Sequence, residues 1–174
     1  MKVIFSHGKE SGPWGRKIKR MAEIAQSLSY AVESIDYTDM TNPDDRVDRL
    51  LDKLRHESED IILVGSSMGG YVSLVCAETL CVEQVLAEKL SLKGVFLLAP
   101  ALYKDGYRQQ IFNAETNIEI VHGWNDDVIP WEHSVRFARE ANAKLHLVPG
   151  DHRLNDAITD IEYLFREFIC CLDS

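Results

Sequence analysis

The sequence predicts an α/β fold, an open and mostly parallel sheet of about six strands with helices on both faces. Two observations carry this expectation. Short apolar runs alternate with segments whose apolar residues recur at three- and four-residue steps. Several of those runs are continuously apolar, as parallel strands covered on both faces must be.

Taken in order, residues 3–6 form the first strand, Val3-Ile4-Phe5-Ser6. The first helix carries Ile18, Met21, Ala22, Ala25 and Leu28 on one stripe. Residues 31–36 form the second strand. The second helix carries Val47, Leu50, Leu51 and Leu54. It opens with Asn42 as N-cap, Pro43 at the first position and Asp44 and Asp45 in the first turn. Residues 61–64 form the third strand, and a helical segment covers 71–80. Residues 94–99 and 118–121 are the fourth and fifth strands. Lys144–Val148 is the sixth, and its alternation suits an edge. A last helix aligns Ile158, Ile161, Phe165, Phe168 and Leu172, with Asn155 or Asp156 as its cap. No repeat, low-complexity tract or linker interrupts the series, so residues 1–174 are expected to form one domain.

Composition narrows the function classes. The 174 residues carry 19 Lys and Arg against 28 Asp and Glu, a net charge of −9. Such a surface repels phosphate backbones and anionic lipid, so neither nucleic acid nor membrane is an expected partner. No apolar run approaches the roughly 20 residues of a membrane span. The opening Met1-Lys2-Val3-Ile4-Phe5-Ser6-His7 is too short an apolar stretch for a secretion signal. Cys76, Cys81 and the adjacent Cys170 and Cys171 fit neither a disulfide framework nor a zinc site. Reduced thiols in the cytoplasm are the expectation. Oligomeric state is not readable.

Sites in such sheets form at the carboxyl ends of strands. The third strand ends in Gly65-Ser66-Ser67-Met68-Gly69, a Gly-x-Ser-x-Gly pattern between an apolar strand and a helix. A strained turn there exposes the serine as a nucleophile, and side chains at the flanking glycines would collide. The bland reading is a phosphate-binding or merely tight turn. The fifth strand ends in Asn125-Asp126-Asp127-Val128-Ile129-Pro130. Asp126 or Asp127 can orient a histidine; taken alone, capping of the helix opened by Pro130 is the better reading. The sixth ends in Gly150-Asp151-His152. His146 lies in a strand, His133 on a helix and His56 beyond a charged helix face, so His152 is the candidate base. Ser67, an aspartate and His152 occur in the chain order of an α/β-hydrolase triad, each after a separate strand. The loop Ser6-His7-Gly8-Lys9 can give the Lys9 backbone N–H to an oxyanion, with the Met68 N–H as second donor. His7 is expected to brace that loop. Trp14, Tyr71, Tyr103 and Trp124 are candidate pocket walls, although such aromatics more often simply pack.

On Phe5-Ser6-His7-Gly8, Leu63 to Tyr71, His122 to Pro130 and Gly150-Asp151-His152, the sequence resembles the α/β-hydrolase superfamily and, within it, the compact bacterial YqiA-like esterases. The resemblance implies a compact α/β-hydrolase fold with a minimal cap. It sets the acid on Asp126, by the register His-Gly-x-x-Asp-x-x-(Val/Ile)-Pro. It also implies a carboxylesterase-like serine hydrolase that cleaves small acyl esters through an acyl-enzyme, with a small-molecule acyl substrate and no metal or organic cofactor. The sequence departs from the family in three places. The N-terminal strands of the full sheet are absent. Lys9 stands where an apolar residue is common. Only residues 101–113 remain as a flap. The same machinery serves a thioesterase or an amidase, and an interaction protein can also be built on this fold.

Overall fold

The computed structural model describes residues 1–82 and 90–172. Six strands form one sheet in the order β2-β1-β3-β4-β5-β6, every neighbouring pair parallel. The elements run β1 (Lys2–Ser6), α1 (Arg16–Ser27), β2 (Ala31–Ile35), α2 (Pro43–Leu54), β3 (Ile61–Ser66) and α3 (Met68–Val82). They continue with β4 (Leu92–Leu98), β5 (Asn117–Gly123), α4 (Trp131–Ala141), β6 (Lys144–Val148) and α5 (Ile158–Leu172). β6 is an edge strand, as its alternation predicts.

Side chains of the central strands alternate between two cores. Ile4, Ile61, Leu63, Val95 and Leu97 face the core shared with α2, α3 and α4. Val3, Phe5, Ile62, Val64, Phe96 and Leu98 face the core shared with α1 and α5. Both faces are buried, so period two selects which core a residue enters rather than core against solvent. α3 is buried all round over its first three turns, which its unbroken run of small and apolar residues permits. α2 starts as predicted: the Asn42 side chain accepts from the Asp44 N–H at 2.8 Å, and Pro43 stands where no N–H is needed.

Some boundaries differ from expectation. β3 runs on to Ser66 because Gly65 and Ser66 continue the ladder opposite Leu97 and Leu98. α3 starts at Met68, so a single residue, Ser67, makes the turn. The cap expected at Asn155 or Asp156 is not there: α5 starts at Ile158, and the Ala157 carbonyl accepts the Ile161 N–H at 2.9 Å. Residues 101–113 hold no helix or strand. The segment is tied to its surroundings by buried Leu102 and Phe112, while Ile111 is exposed.

The chain passes from β1 outward to β2, then back across β1 to β3 and on to β6. The direction reverses between β1 and β3, and the crevice at their carboxyl ends is where such sheets take ligands. Ser6 pairs with Gly65 there, so the loops after β1 and β3 leave the sheet side by side.

Candidate active site

Ser67 occupies that crevice with φ of 54°, in the left-handed region, where a non-glycine residue costs on the order of 1 kcal/mol. The surroundings fix it. Its N–H donates to the Leu98 carbonyl at 2.9 Å, and its own carbonyl accepts the Gly70 and Ala101 N–H groups, each at 2.9 Å. A Cβ on Gly65 would overlap the Gly69 backbone, and one on Gly69 would overlap the Ser6 backbone. Both flanking positions of the Gly-x-Ser-x-Gly pattern are thus glycine because main chain passes too close for anything larger.

Three side chains from three loops meet in one hydrogen-bonded chain. Ser67 Oγ lies 2.9 Å from His152 Nε2, and His152 Nδ1 lies 2.7 Å from Asp126 Oδ2. With Nδ1–H donating to the carboxylate, Nε2 is left to accept the serine proton. Asp126 has a fully buried side chain. Its Oδ1 accepts the Val128 and Ile129 N–H groups at 2.9 and 2.8 Å. Burial pushes the carboxyl pKa up, but the hydrogen bonds from Ile129, His152 and Val128 outweigh it, and the group is held below its ordinary range. Helix capping does not explain Asp126: the N-cap of α4 is Pro130, without a side-chain cap. Asp127 is exposed.

The loops after β5 and β6 are clipped together. The Asn125 N–H donates to the Gly150 carbonyl at 3.0 Å, and the Trp124 N–H to the Val148 carbonyl at 2.9 Å. Asp151 accepts the Arg153 and Leu154 N–H groups at 2.9 and 3.0 Å, which shapes the turn carrying His152.

His122 adds a contact that the sequence pattern does not reveal. Its Nε2 lies 2.9 Å from Asp126 Oδ2 and 3.1 Å from the Ile129 carbonyl, and its Nδ1 lies 2.7 Å from Ser134 Oγ. Burial pushes its pKa down more than Asp126 pulls it up, so the ring is neutral at neutral pH and Nε2 carries the proton. Asp126 therefore receives four N–H groups. A histidine four residues before an aspartate at a strand end was the available signal.

The loop after β1 is held from inside, as expected of His7. His7 Nδ1 donates to the Gly8 carbonyl at 2.6 Å, and its Nε2 accepts the Tyr37 N–H at 3.0 Å. Gly8 borders the serine: a Cβ there would stand 3.5 Å from Ser67 Cβ. Among the described residues, no carbonyl takes the N–H of Lys9 or of Met68. Sequence reasoning also missed Arg46. It is 1% exposed and donates to the His7 and Gly8 carbonyls at 3.0 and 3.3 Å. On an amphipathic helix of alternating charges it reads as a solvent residue.

Of the four expected pocket aromatics, Tyr71 requires correction. It is fully buried, and its hydroxyl donates to Asp44 at 2.7 Å and accepts the Gln109 N–H at 3.1 Å. One helical turn past Ser67, it points into the α2 side of the core. Tyr103 donates to Glu140 at 2.8 Å, and the Arg136 guanidinium lies 3.9 Å from its ring centre, so it is engaged with α4. Trp14 and Trp124 stand half-exposed on the loops after β1 and β5, and Trp124 packs edge-on against Trp131.

Residues 2–103 match the profile of the uncharacterised protein family UPF0227. The chain belongs to this family. The match takes in the Lys9 loop and the Ser67 turn and ends before Asp126 and His152. The UPF0227 chain is also similar to bovine (Bos taurus) mitochondrial palmitoyl-protein thioesterase ABHD10, at 26% identity over 93% of this chain and 70% of the relative. Among solved structures it resembles a protein of the α/β hydrolase superfamily from Xanthomonas campestris pv. campestris, with 28% identity, a TM-score of 0.80 and 98% of each chain covered. Est1E from Butyrivibrio proteoclasticus superposes with a TM-score of 0.80 at 19% identity, over 98% of this chain and 87% of that one. The fold is that of the α/β hydrolases. Among the described residues, no cluster of His, Cys, Asp or Glu side chains is arranged to hold a metal, and no helix is long and apolar enough to cross a membrane.

Proposed function

We propose that this protein is a serine hydrolase of the carboxylesterase type, with Ser67 as nucleophile, His152 as base and Asp126 as the acid that orients it. The observation that supports this most is the continuous Ser67–His152–Asp126 hydrogen-bond chain on a strained turn at the N-terminus of a helix. His152 Nε2 takes the proton as Ser67 Oγ attacks the substrate carbonyl, and Asp126 stabilises the imidazolium. The Lys9 and Met68 N–H groups hold the oxyanion. The protonated His152 then passes its proton to the leaving group, and the acyl-enzyme forms. Water attacks it, with His152 again as base, and releases the acid. Each step is complete without a metal or an organic cofactor.

Ser67→Ala tests the assignment. Its kcat on p-nitrophenyl acetate should fall by up to about a millionfold, with the fold retained because the flanking glycines remain. Near-normal turnover in the pure variant would overturn it.

The likeness to a palmitoyl-protein thioesterase favours a second reading, in which the acyl group arrives as a thioester. Paired oxygen and sulfur esters of the same acyl group distinguish the two by their kcat/KM ratio.

A further inference from the structure

We propose that Arg46 is a positioning residue for oxyanion stabilisation: acting through the Gly8 carbonyl, it aims the Lys9 N–H at the Ser67 site and strengthens it as a donor. The proposal rests on the serine-hydrolase reading above.

Arg46 sits on the core face of α2 beside Val47, Leu50, Leu51 and Leu54, where an apolar residue would serve packing better. Its guanidinium makes five hydrogen bonds to four carbonyls. Nε and Nη2 reach Met40 at 3.0 and 2.8 Å, Nη2 reaches Tyr37 at 3.4 Å, and Nη1 reaches His7 and Gly8 at 3.0 and 3.3 Å. The cation also lies 5.2 Å from the centre of the Tyr37 ring. Among the described residues it forms no ion pair with a carboxylate, although Arg49 on the same helix pairs with Asp39. A guanidinium keeps its charge even when buried. The fold has therefore placed a cation with no carboxylate in direct contact between the loops that follow β1 and β2, next to the crevice.

Peptide geometry carries its effect to the site. The Gly8–Lys9 peptide bond is trans, so the Gly8 carbonyl and the Lys9 N–H point in opposite directions across one rigid plane. His7 and Arg46 hold the carbonyl end inward. The N–H end is thereby directed away from the buried clamp, on the loop whose Gly8 borders Ser67. A cation at the carbonyl end also polarises the unit and makes its N–H a better donor. His7 cannot supply that charge, since burial pushes its pKa down and its Nε2 is occupied as an acceptor. The local sign matters in a chain of net charge −9, whose field otherwise opposes a developing oxyanion.

The test uses Arg46→Lys, which keeps the charge but loses the fork, and Arg46→Gln, which loses both. Wild-type turnover of p-nitrophenyl acetate and fluorophosphonate labelling of Ser67 are measured first. Failure of both removes the hydrolase reading and this proposal with it. With both present, the variants speak to Arg46 alone. In folded Arg46→Gln, kcat should fall about 10- to 100-fold, short of deleting a donor outright, with KM changed less than about threefold. Affinity for a phenylboronic acid, whose serine adduct is tetrahedral and anionic, should fall by the same factor as kcat. Arg46→Lys should lie between wild type and Arg46→Gln. A folded Arg46→Gln with kcat and boronate affinity within about twofold of wild type would overturn the proposal, as would a loss confined to KM. Should neither variant fold, the wild-type boronate complex decides by NMR. Under the proposal the Lys9 amide and the Arg46 side-chain resonances both shift on binding; a complex that moves the Met68 amide alone overturns it.

Discussion

Asp126 and Asp127 are adjacent and chemically identical, yet only Asp126 is drawn into the loop, with four N–H groups on its two oxygens. Replacing one oxygen by an amide in Asp126→Asn turns an acceptor towards His152 into a donor and selects the wrong imidazole tautomer. By analogy with other triads kcat should fall on the order of 10⁴, while Asp127→Asn, on an exposed side chain, should stay within about threefold. Steady-state kinetics on both variants check the ranking, and the reverse order would move the role by one residue. At this scale much was legible. Gly65, Ser67 and Gly69 announce a turn into which only glycine fits beside the serine, and His152 stood out among six histidines by its place after a strand. Arg46 and His122 were not legible as working residues. The partners of Arg46 include the His7 and Gly8 carbonyls of the loop after β1, which leave no mark near Arg46 in the sequence; for His122 the one local signal is the aspartate four residues on, and the contact depends on how the loop turns.

Two elements, β1 and α3, set the turn that carries Ser67. α3 approaches β1 so closely that the Gly69 backbone rests on Ser6 and His7. Gly69→Ala should therefore cost about 3 kcal/mol or prevent folding, as overpacking against main chain does. The cap at Asn42 lies at the other end of the scale: Asn42→Ala removes one bond to the Asp44 N–H and should cost about 1 kcal/mol. Urea unfolding midpoints measure both, and a Gly69→Ala protein as stable as wild type would contradict the packing described. The outer helices are readable from their three- and four-residue steps and the central strands from short, continuously apolar runs; α3, buried all round, shows neither period. The boundaries slipped where polarity misleads: Gly65 and Ser66 belong to β3 because they pair with β4, not because they are apolar. The cap of α5 differs from the expected one for a related reason: Asn155 and Asp156 have the right chemistry for a cap, but the chain turns one residue later.

For the molecule as a whole, the proposed hydrolase reading ties substrate size to the short segment over 101–113. The segment over 101–113 is fastened to the body by Arg108 to Asp44, Gln109 to Tyr71 and Glu78, and Asn113 to Glu78. Bonded in this way it is a strap on α2 and α3 rather than a cover for a long acyl chain. Each buried methylene adds about 0.8 kcal/mol to binding, and that gain stops where the wall ends. We expect kcat/KM to peak between acetate and butyrate esters and to decline towards palmitate, without a rate increase above the micelle threshold. A maximum at long chains would mean that the strap opens into an enclosed pocket. If Ser67 carries the acyl group, intact-protein mass spectrometry of the protein quenched during turnover of p-nitrophenyl acetate detects it. One added acetyl group is expected, mapped by peptide sequencing to Ser67 and absent from Ser67→Ala. Turnover without any covalent acetyl-protein when deacylation is slowed, or an acetyl group on another residue, would contradict it.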